Sequence, residues 1–115
     1  MMLYLDNAAT TLKKPLSVYA TLFKSTLFSG GNAGRGGHKM SMDAVRAIVD
    51  TQDLIAQLFN IKKAENIVFT QNATYALNTA ILGTMSNGGH IVVTEMDHNS
   101  VLRPAYLLGN YTVVK

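Results

Sequence analysis

Hydrophobic residues recur at helical spacing in the first half of the chain, interrupted by runs of glycine and small polar residues. Pro15 suits the first turn of a helix, and the apolar stripe behind it predicts a helix that stops at Ser29-Gly30. A second helix is predicted from an N-cap at Ser41, with Asp43 in its first turn, to an end near Asn60. The two stripes are Leu16, Tyr19, Ala20, Phe23 and Leu27, and then Val45, Ile48, Val49, Ile55, Ala56 and Phe59.

The second half of the chain alternates between apolar runs typical of buried strands and amphipathic helical patterns. The predicted strands are Ile67–Thr70, His90–Thr94 and Tyr111–Val114. A helix is predicted over Asn72–Met85. A shorter helix, capped by Asn99 or Ser100, tolerates Pro104 only in its first turn. This alternation predicts an α/β fold, β-α-β-α-β with parallel strands, preceded by two helices.

Composition narrows the class of protein only slightly. The 115 residues are 48% hydrophobic, but no apolar run approaches a membrane span, and the start MMLYLDNAATT lacks the pattern of a signal peptide. Without cysteine the chain forms no disulfides, and the cytoplasm is the expected compartment. The net charge of +3 is scattered, without the basic face of a nucleic-acid-binding protein, and suits a small anionic ligand equally well.

Two polar turns follow predicted strands, at Gln71–Thr74 and Glu95–Asn99. In an open parallel sheet both turns lie at the edge where ligands bind. A helix that begins near Asn72 points free N–H groups and the positive end of its dipole at one spot, where phosphates bind. Asn72 and Thr74 add an amide and a hydroxyl to that spot. The alternative is that Asn72 only caps the helix.

A glycine-rich loop separates the two predicted N-terminal helices. Five glycines lie between Gly30 and Gly37, which excludes regular structure and predicts a mobile or tightly folded loop. Arg35 and His38 are part of this stretch. It is either a flexible surface segment or a loop that closes over an anionic ligand.

Four motifs together resemble one enzyme family. They are YLDNAATT at Tyr4–Thr11, GRGGH at Gly34–His38, IVFTQNATYALN at Ile67–Asn78 and EMDHNSVLRP at Glu95–Pro104. Their order and spacing resemble the N-terminal part of class V aminotransferase-like pyridoxal-phosphate enzymes, specifically the cysteine desulfurases. The resemblance implies part of the large domain of a fold-type I transferase. Residues 1–40 would then form a helix and active-site loop, and residues 41–115 an incomplete cofactor-binding domain.

The resemblance also implies roles for individual residues around pyridoxal 5'-phosphate. Ala73 and Thr74, beside Asn72, match the pair that binds the cofactor phosphate through a backbone N–H and a hydroxyl. His98 matches the histidine that stacks on the pyridine ring and assists proton transfer, so it is the catalytic candidate in this chain. From the residues alone, His98 is an exposed turn histidine.

Four further residues match the substrate side of the family's pocket. Asn7 and Ala8 match a segment that lines it, and Arg35 and His38 match a loop at its mouth, where the partner of a homodimer also contributes. The implied substrate is an amino acid such as L-cysteine, converted to L-alanine with the sulfur bound to the enzyme.

Family members are longer, and essential groups lie downstream in them. These are the Schiff-base lysine, the aspartate that pairs with the ring nitrogen and the sulfur-accepting cysteine. This chain has no cysteine. We therefore expect the isolated chain to be inactive, to bind the cofactor weakly or not at all, and to self-associate or pair with a missing segment.

Two other functions compete with this interpretation. A different phosphate-binding α/β module, such as a Rossmann nucleotide-binding domain, shares the alternation but requires G-x-G-x-x-G after a strand, and this turn reads TQNAT. A noncatalytic pseudoenzyme or interaction fragment would instead bind a full-length relative. We expect no metal site, because His38, His90 and His98 are widely spaced.

Overall fold

Two helices make up most of the chain before Ile67. The structure, a computed structural model, describes residues 3–115, and the helices are α1, Leu16–Phe28, and α2, Lys39–Phe59. The N-cap of α1 at Pro15 and the left-handed C-cap of α2 at Asn60 confirm those predicted boundaries. The chain divides into two units, Met1–Ile67 and Val68–Lys115. The functional division after residue 40 stays a prediction, and its first two residues lie outside the described part.

The predicted start of α2 at Ser41 is wrong. His38, in an extended conformation, is the N-cap, and Asp43 therefore lies beyond the first turn. Ser41 is buried inside the helix, with its Oγ 3.1 Å from Nε2 of His38 and 3.4 Å from the carbonyl oxygen of Arg35. Ser41 therefore connects the end of the glycine loop to the first turn of the helix.

The glycine loop is folded closely against the start of α2. A Cβ at Gly31 would collide with the backbone of Met40 and Ser41. Gly36 has φ of +124°, a conformation that L side chains rarely adopt. The prediction of a tightly folded loop is therefore confirmed at these two positions.

The predicted strand at Ile67–Thr70 does not form, so this prediction is wrong. Ile67 has extended backbone angles after a single 3-10 turn at Ala64–Asn66, and its carbonyl accepts a hydrogen bond of 2.7 Å from Nε2 of Gln52. A strand needs a neighbour to satisfy its backbone groups, and no described segment pairs with this one. Phe69 is consequently about half exposed.

The second unit has α/β architecture with two parallel strands. Its elements are α3, Ala73–Thr84; β1, Ile91–Thr94; α4, Asn99–Leu108; and β2, Tyr111–Val114. β1 and β2 pair from Ile91 opposite Tyr111 to Thr94 opposite Val114. The two helices and the last two strands predicted for this unit are confirmed to within one or two residues. None of the described helices combines the length and apolar character needed to cross a membrane.

Helix α4 contacts α3 and both strands, and most of the buried residues of the second unit belong to it. Pro104 and Ala105 of α4 and Val93 of β1 are the buried apolar residues there. Pro104 lies in the interior of α4, so its predicted restriction to the first turn is wrong. Nδ2 of Asn78, from α3, donates a 3.2 Å hydrogen bond to the carbonyl of Ser100, four residues before Pro104.

Candidate functional site

A cleft of about 380 Å³ opens between the first turns of α3 and α4. Thr74 and Asn78 of α3 line one side, and His98, Asn99, Ser100 and Arg103 line the other. The structure thus brings together two of the residues predicted from the sequence, Thr74 and His98. The side chains of both are exposed to solvent.

The start of α3 combines a cap with unused backbone donors. Oδ1 of Asn72 accepts a 2.9 Å hydrogen bond from the N–H of Tyr75. Asn72 is therefore an N-cap, which confirms that it caps the helix. This bond occupies the amide of Tyr75 only. Among residues 3–115, the amides of Ala73 and Thr74 have no hydrogen-bond partner. Capping by Asn72 is therefore compatible with an anion at these two amides.

The start of α4 is capped by His98, which corrects the prediction of Asn99 or Ser100. Nδ1 of His98 accepts a 3.1 Å hydrogen bond from the N–H of Ser100 and lies 2.9 Å from the Ser100 hydroxyl. Because a backbone amide can only donate, Nδ1 is the acceptor and the ring proton belongs on Nε2. The cap therefore fixes both the tautomer and the position of the ring.

Asp97 holds the turn that carries His98. Its Oδ2 accepts a 2.7 Å hydrogen bond from the N–H of Thr94, at the end of β1, and lies 3.1 Å from the Thr94 hydroxyl. Asp97 therefore has a positioning role between β1 and α4.

The electrostatics of the cleft favour an anion. No carboxylate lines it, and Arg103 is its one cationic side chain, with no ion pair among the described residues. The first turns of both helices add the positive ends of their dipoles. A phosphate or carboxylate group bound here would therefore gain from three sources of positive potential.

The remaining predicted site residues lie in the first unit. Asn7 and Ala8 are exposed, and the N–H of Asn7 donates to the carbonyl of Leu5 at 3.1 Å. Arg35 and His38 are exposed at the end of the glycine loop, where both contact Ser41. The assignment of these four residues to the substrate side stays a prediction.

Each ring nitrogen of His90 has a hydrogen-bond partner at the start of β2. Nδ1 lies 2.7 Å from Oδ1 of Asn110, and Nε2 lies 2.8 Å from the hydroxyl of Thr112. Within residues 3–115, no group of three or more histidine, cysteine, aspartate or glutamate residues could hold a metal ion. Through these two contacts, His90 connects the start of β1 to the start of β2.

Sequence reasoning missed Asn78 and Arg103 as site residues, although both fall within quoted motifs. The signal was helical spacing, because Asn78 lies four residues after Thr74, and Arg103 lies four after Asn99. Residues so spaced share one helix face, so a ligand at the first residue also meets the second.

Comparison with known proteins places the chain in a family. A sequence model of the family described as Aminotransferase class-V matches residues 3–115. Proteins named probable cysteine desulfurase from Aeropyrum pernix, Synechocystis sp. and Streptomyces coelicolor are 39%, 34% and 32% identical over 105, 107 and 122 residues. These alignments cover 88%, 90% and 99% of this chain, but 25%, 25% and 29% of the relatives.

The chain therefore spans about a quarter of the length of the curated relatives it matches. No solved structure gives a significant match. Because the family match extends over residues 3–115, the chain belongs to the class-V aminotransferase family.

Proposed function

We propose that this chain forms part of the cofactor-binding region of a pyridoxal-phosphate-dependent cysteine desulfurase, which converts L-cysteine to L-alanine and takes up the sulfur. Family membership implies fold-type I architecture and general dependence on pyridoxal 5'-phosphate. The observation that carries the proposal is the cleft that Thr74 and His98 share at the N-termini of two helices. The relatives named cysteine desulfurase supply the reaction and the substrate.

The residues of the cleft fit a phosphorylated aromatic ligand. The amides of Ala73 and Thr74, with the Thr74 hydroxyl, provide donors for a phosphate, and Arg103 adds a positive charge. The exposed imidazole of His98 provides a flat surface for a ring. The volume of about 380 Å³ falls within the roughly 300–1,000 Å³ typical of small-molecule sites.

Bound there, pyridoxal 5'-phosphate would supply the electron sink for reactions at the α-carbon of an amino acid. The residues of this chain would hold and orient it. Thr74 would anchor the phosphate, and His98 would cover one ring face with its proton held on Nε2 by the bond at Nδ1. The lysine, aspartate and cysteine implied by the family resemblance would complete the chemistry.

The proposal extends to the substrate and the assembly. Asn7 and Ala8, together with Arg35 and His38, would line the substrate side of a pocket in a cytoplasmic homodimer that handles L-cysteine. The single arginine in the glycine loop is suited to a substrate carboxylate, because its guanidinium can bind both carboxylate oxygens.

Titration with pyridoxamine 5'-phosphate tests the site, because this probe lacks the aldehyde that would react with surface lysines. We expect NMR shifts at the amides of Ala73 and Thr74 and at the His98 ring, and smaller shifts with pyridoxamine, which lacks the phosphate. Thr74→Val should weaken binding about tenfold or more. Thr79→Val, on α3 but outside the cleft, is the matched control. Equal shifts with the two probes would contradict a phosphate site.

A chimera tests the activity. This chain would replace the matching quarter of the Aeropyrum pernix relative, and we expect alanine to form from L-cysteine. The isolated 115-residue chain should produce no sulfide or alanine above background. A folded chimera without activity would favour the noncatalytic alternative.

A further inference from the structure

Pro104 leaves a gap in the hydrogen bonds of α4. In a regular helix, the N–H of residue 104 would donate to the carbonyl of Ser100, four residues earlier, but proline has no N–H. Ser100 is buried, with 6% of its surface exposed, so solvent is a poor substitute for the missing donor. Left without a partner, a buried carbonyl would destabilise the turn that carries His98.

Asn78 supplies the missing donor from the neighbouring helix. Its Nδ2 donates to the carbonyl of Ser100 at 3.2 Å and to the carbonyl of Thr74 at 2.8 Å. A side-chain amide carries two N–H groups, so one nitrogen can make both bonds. The side chain thus links Thr74, one turn earlier in α3, to Ser100, the second residue of α4.

We propose that Asn78 is a positioning residue for His98: its amide replaces the donor that Pro104 lacks and fixes the first turn of α4 against α3. Ser100, which receives this bond at its carbonyl, donates its own N–H to Nδ1 of His98. Asn78 therefore acts on the imidazole through Ser100. These hydrogen bonds, from Asn78 to Ser100 and from Ser100 to His98, form a relay that is argued from the contacts alone. Its relevance to cofactor binding rests on the proposed function.

Asn78 and Pro104 form a compensating pair, which makes the relay testable without any ligand. Pro104→Ala restores a backbone N–H that can donate to the Ser100 carbonyl. If Asn78 matters because it serves that carbonyl, its loss will be costly beside proline and mild beside alanine. A residue that only fills space between α3 and α4 would cost the same in both backgrounds.

The experiment compares the full chain with Asn78→Leu, Pro104→Ala and the double variant, by urea unfolding and NMR. We expect Asn78→Leu to lower the folding equilibrium constant about tenfold or more in the parent chain, and less than about threefold in the Pro104→Ala background. The Ser100 amide and His98 ring signals should move in Asn78→Leu and return in the double variant. Asn87→Leu, in the turn after α3, is the control and should change the constant less than about twofold in either background.

Equal costs in the two backgrounds would overturn the proposal, and so would unchanged His98 signals in Asn78→Leu. If Asn78→Leu fails to fold, the double variant decides, because a folded double variant supports the relay and an unfolded one overturns it. Since no cofactor is present, failure here is distinct from failure of the cofactor site.

Discussion

His98 caps α4, the helix that follows it, with its Nδ1 accepting a hydrogen bond from the N–H of Ser100 at 3.1 Å. The same ring lines the cleft, so one side chain has a structural and a proposed functional role. The two roles use different parts of the imidazole, because the cap needs an acceptor at Nδ1 and a ligand ring needs the aromatic face. Substitutions that preserve one part at a time can separate them.

His98→Asn keeps an acceptor suited to the cap and removes the aromatic face, whereas His98→Phe does the reverse. We expect His98→Asn to unfold in urea at nearly the parent midpoint but to bind pyridoxamine 5'-phosphate more weakly. His98→Phe should lose about 0.5–2 kcal/mol of stability, the usual cost of a lost N-cap. Two variants of equal stability would mean that the cap contributes nothing.

Arg103 should strengthen binding of any phosphate ligand in the cleft through its charge. We expect Arg103→Gln to weaken pyridoxamine 5'-phosphate binding about threefold to tenfold at low salt, and less at high salt, because ions screen an exposed guanidinium. Arg46→Gln is the control, since it removes the same charge from a residue of the first unit, where it pairs with Asp43. Identical effects of both substitutions would indicate a dependence on net charge alone.

Gly31 should be intolerant of a side chain. We expect Gly31→Ala to destabilise the chain by about 1–3 kcal/mol, because its Cβ would displace the Met40 backbone at the start of α2. Gly37→Ala is the matched control, because beyond the two neighbouring residues nothing lies within 4 Å of the added carbon. Thermal unfolding followed by circular dichroism measures both, and similar midpoints would contradict the close approach.

The isolated chain should self-associate. None of the residues of α1 is buried, and Leu16, Phe23 and Phe28 are 84%, 68% and 69% exposed. Apolar surface of this extent favours association. We expect light scattering to show a mass that rises with protein concentration, and Phe23→Ser with Phe28→Ser to reduce it. A constant monomer mass at high concentration would be the contrary result.

Helices and caps were predictable where short-range chemistry determines them. Pro15, Asn60 and Gly109 mark helix boundaries through their own backbone preferences, and α3 begins after the Asn72 cap. The strand at Ile67–Thr70 was not predictable in this way, because a strand exists only with a partner. The start of α2 was placed at Ser41 because serine is favoured over histidine as an N-cap, whereas His38 occupies that position.

The candidate site was also predictable only in part. The convergence of Thr74 and His98 followed from two polar turns placed after successive predicted strands, although one of those strands is not formed. Asn78 was not predicted because the carbonyl that its side chain contacts, that of Ser100, lies 22 residues away. To predict a hydrogen bond of this kind between two helices, one must know which backbone carbonyls have no N–H partner within their own helix.

The parallel pair of β1 and β2 has one further consequence. In their register, from Ile91 opposite Tyr111 to Thr94 opposite Val114, each strand pairs along one edge. The other edge of β1 is already occupied at Thr94, whose N–H donates to Asp97. No strand among residues 3–115 lies along the other edge of β2, so a sheet could grow outward from β2.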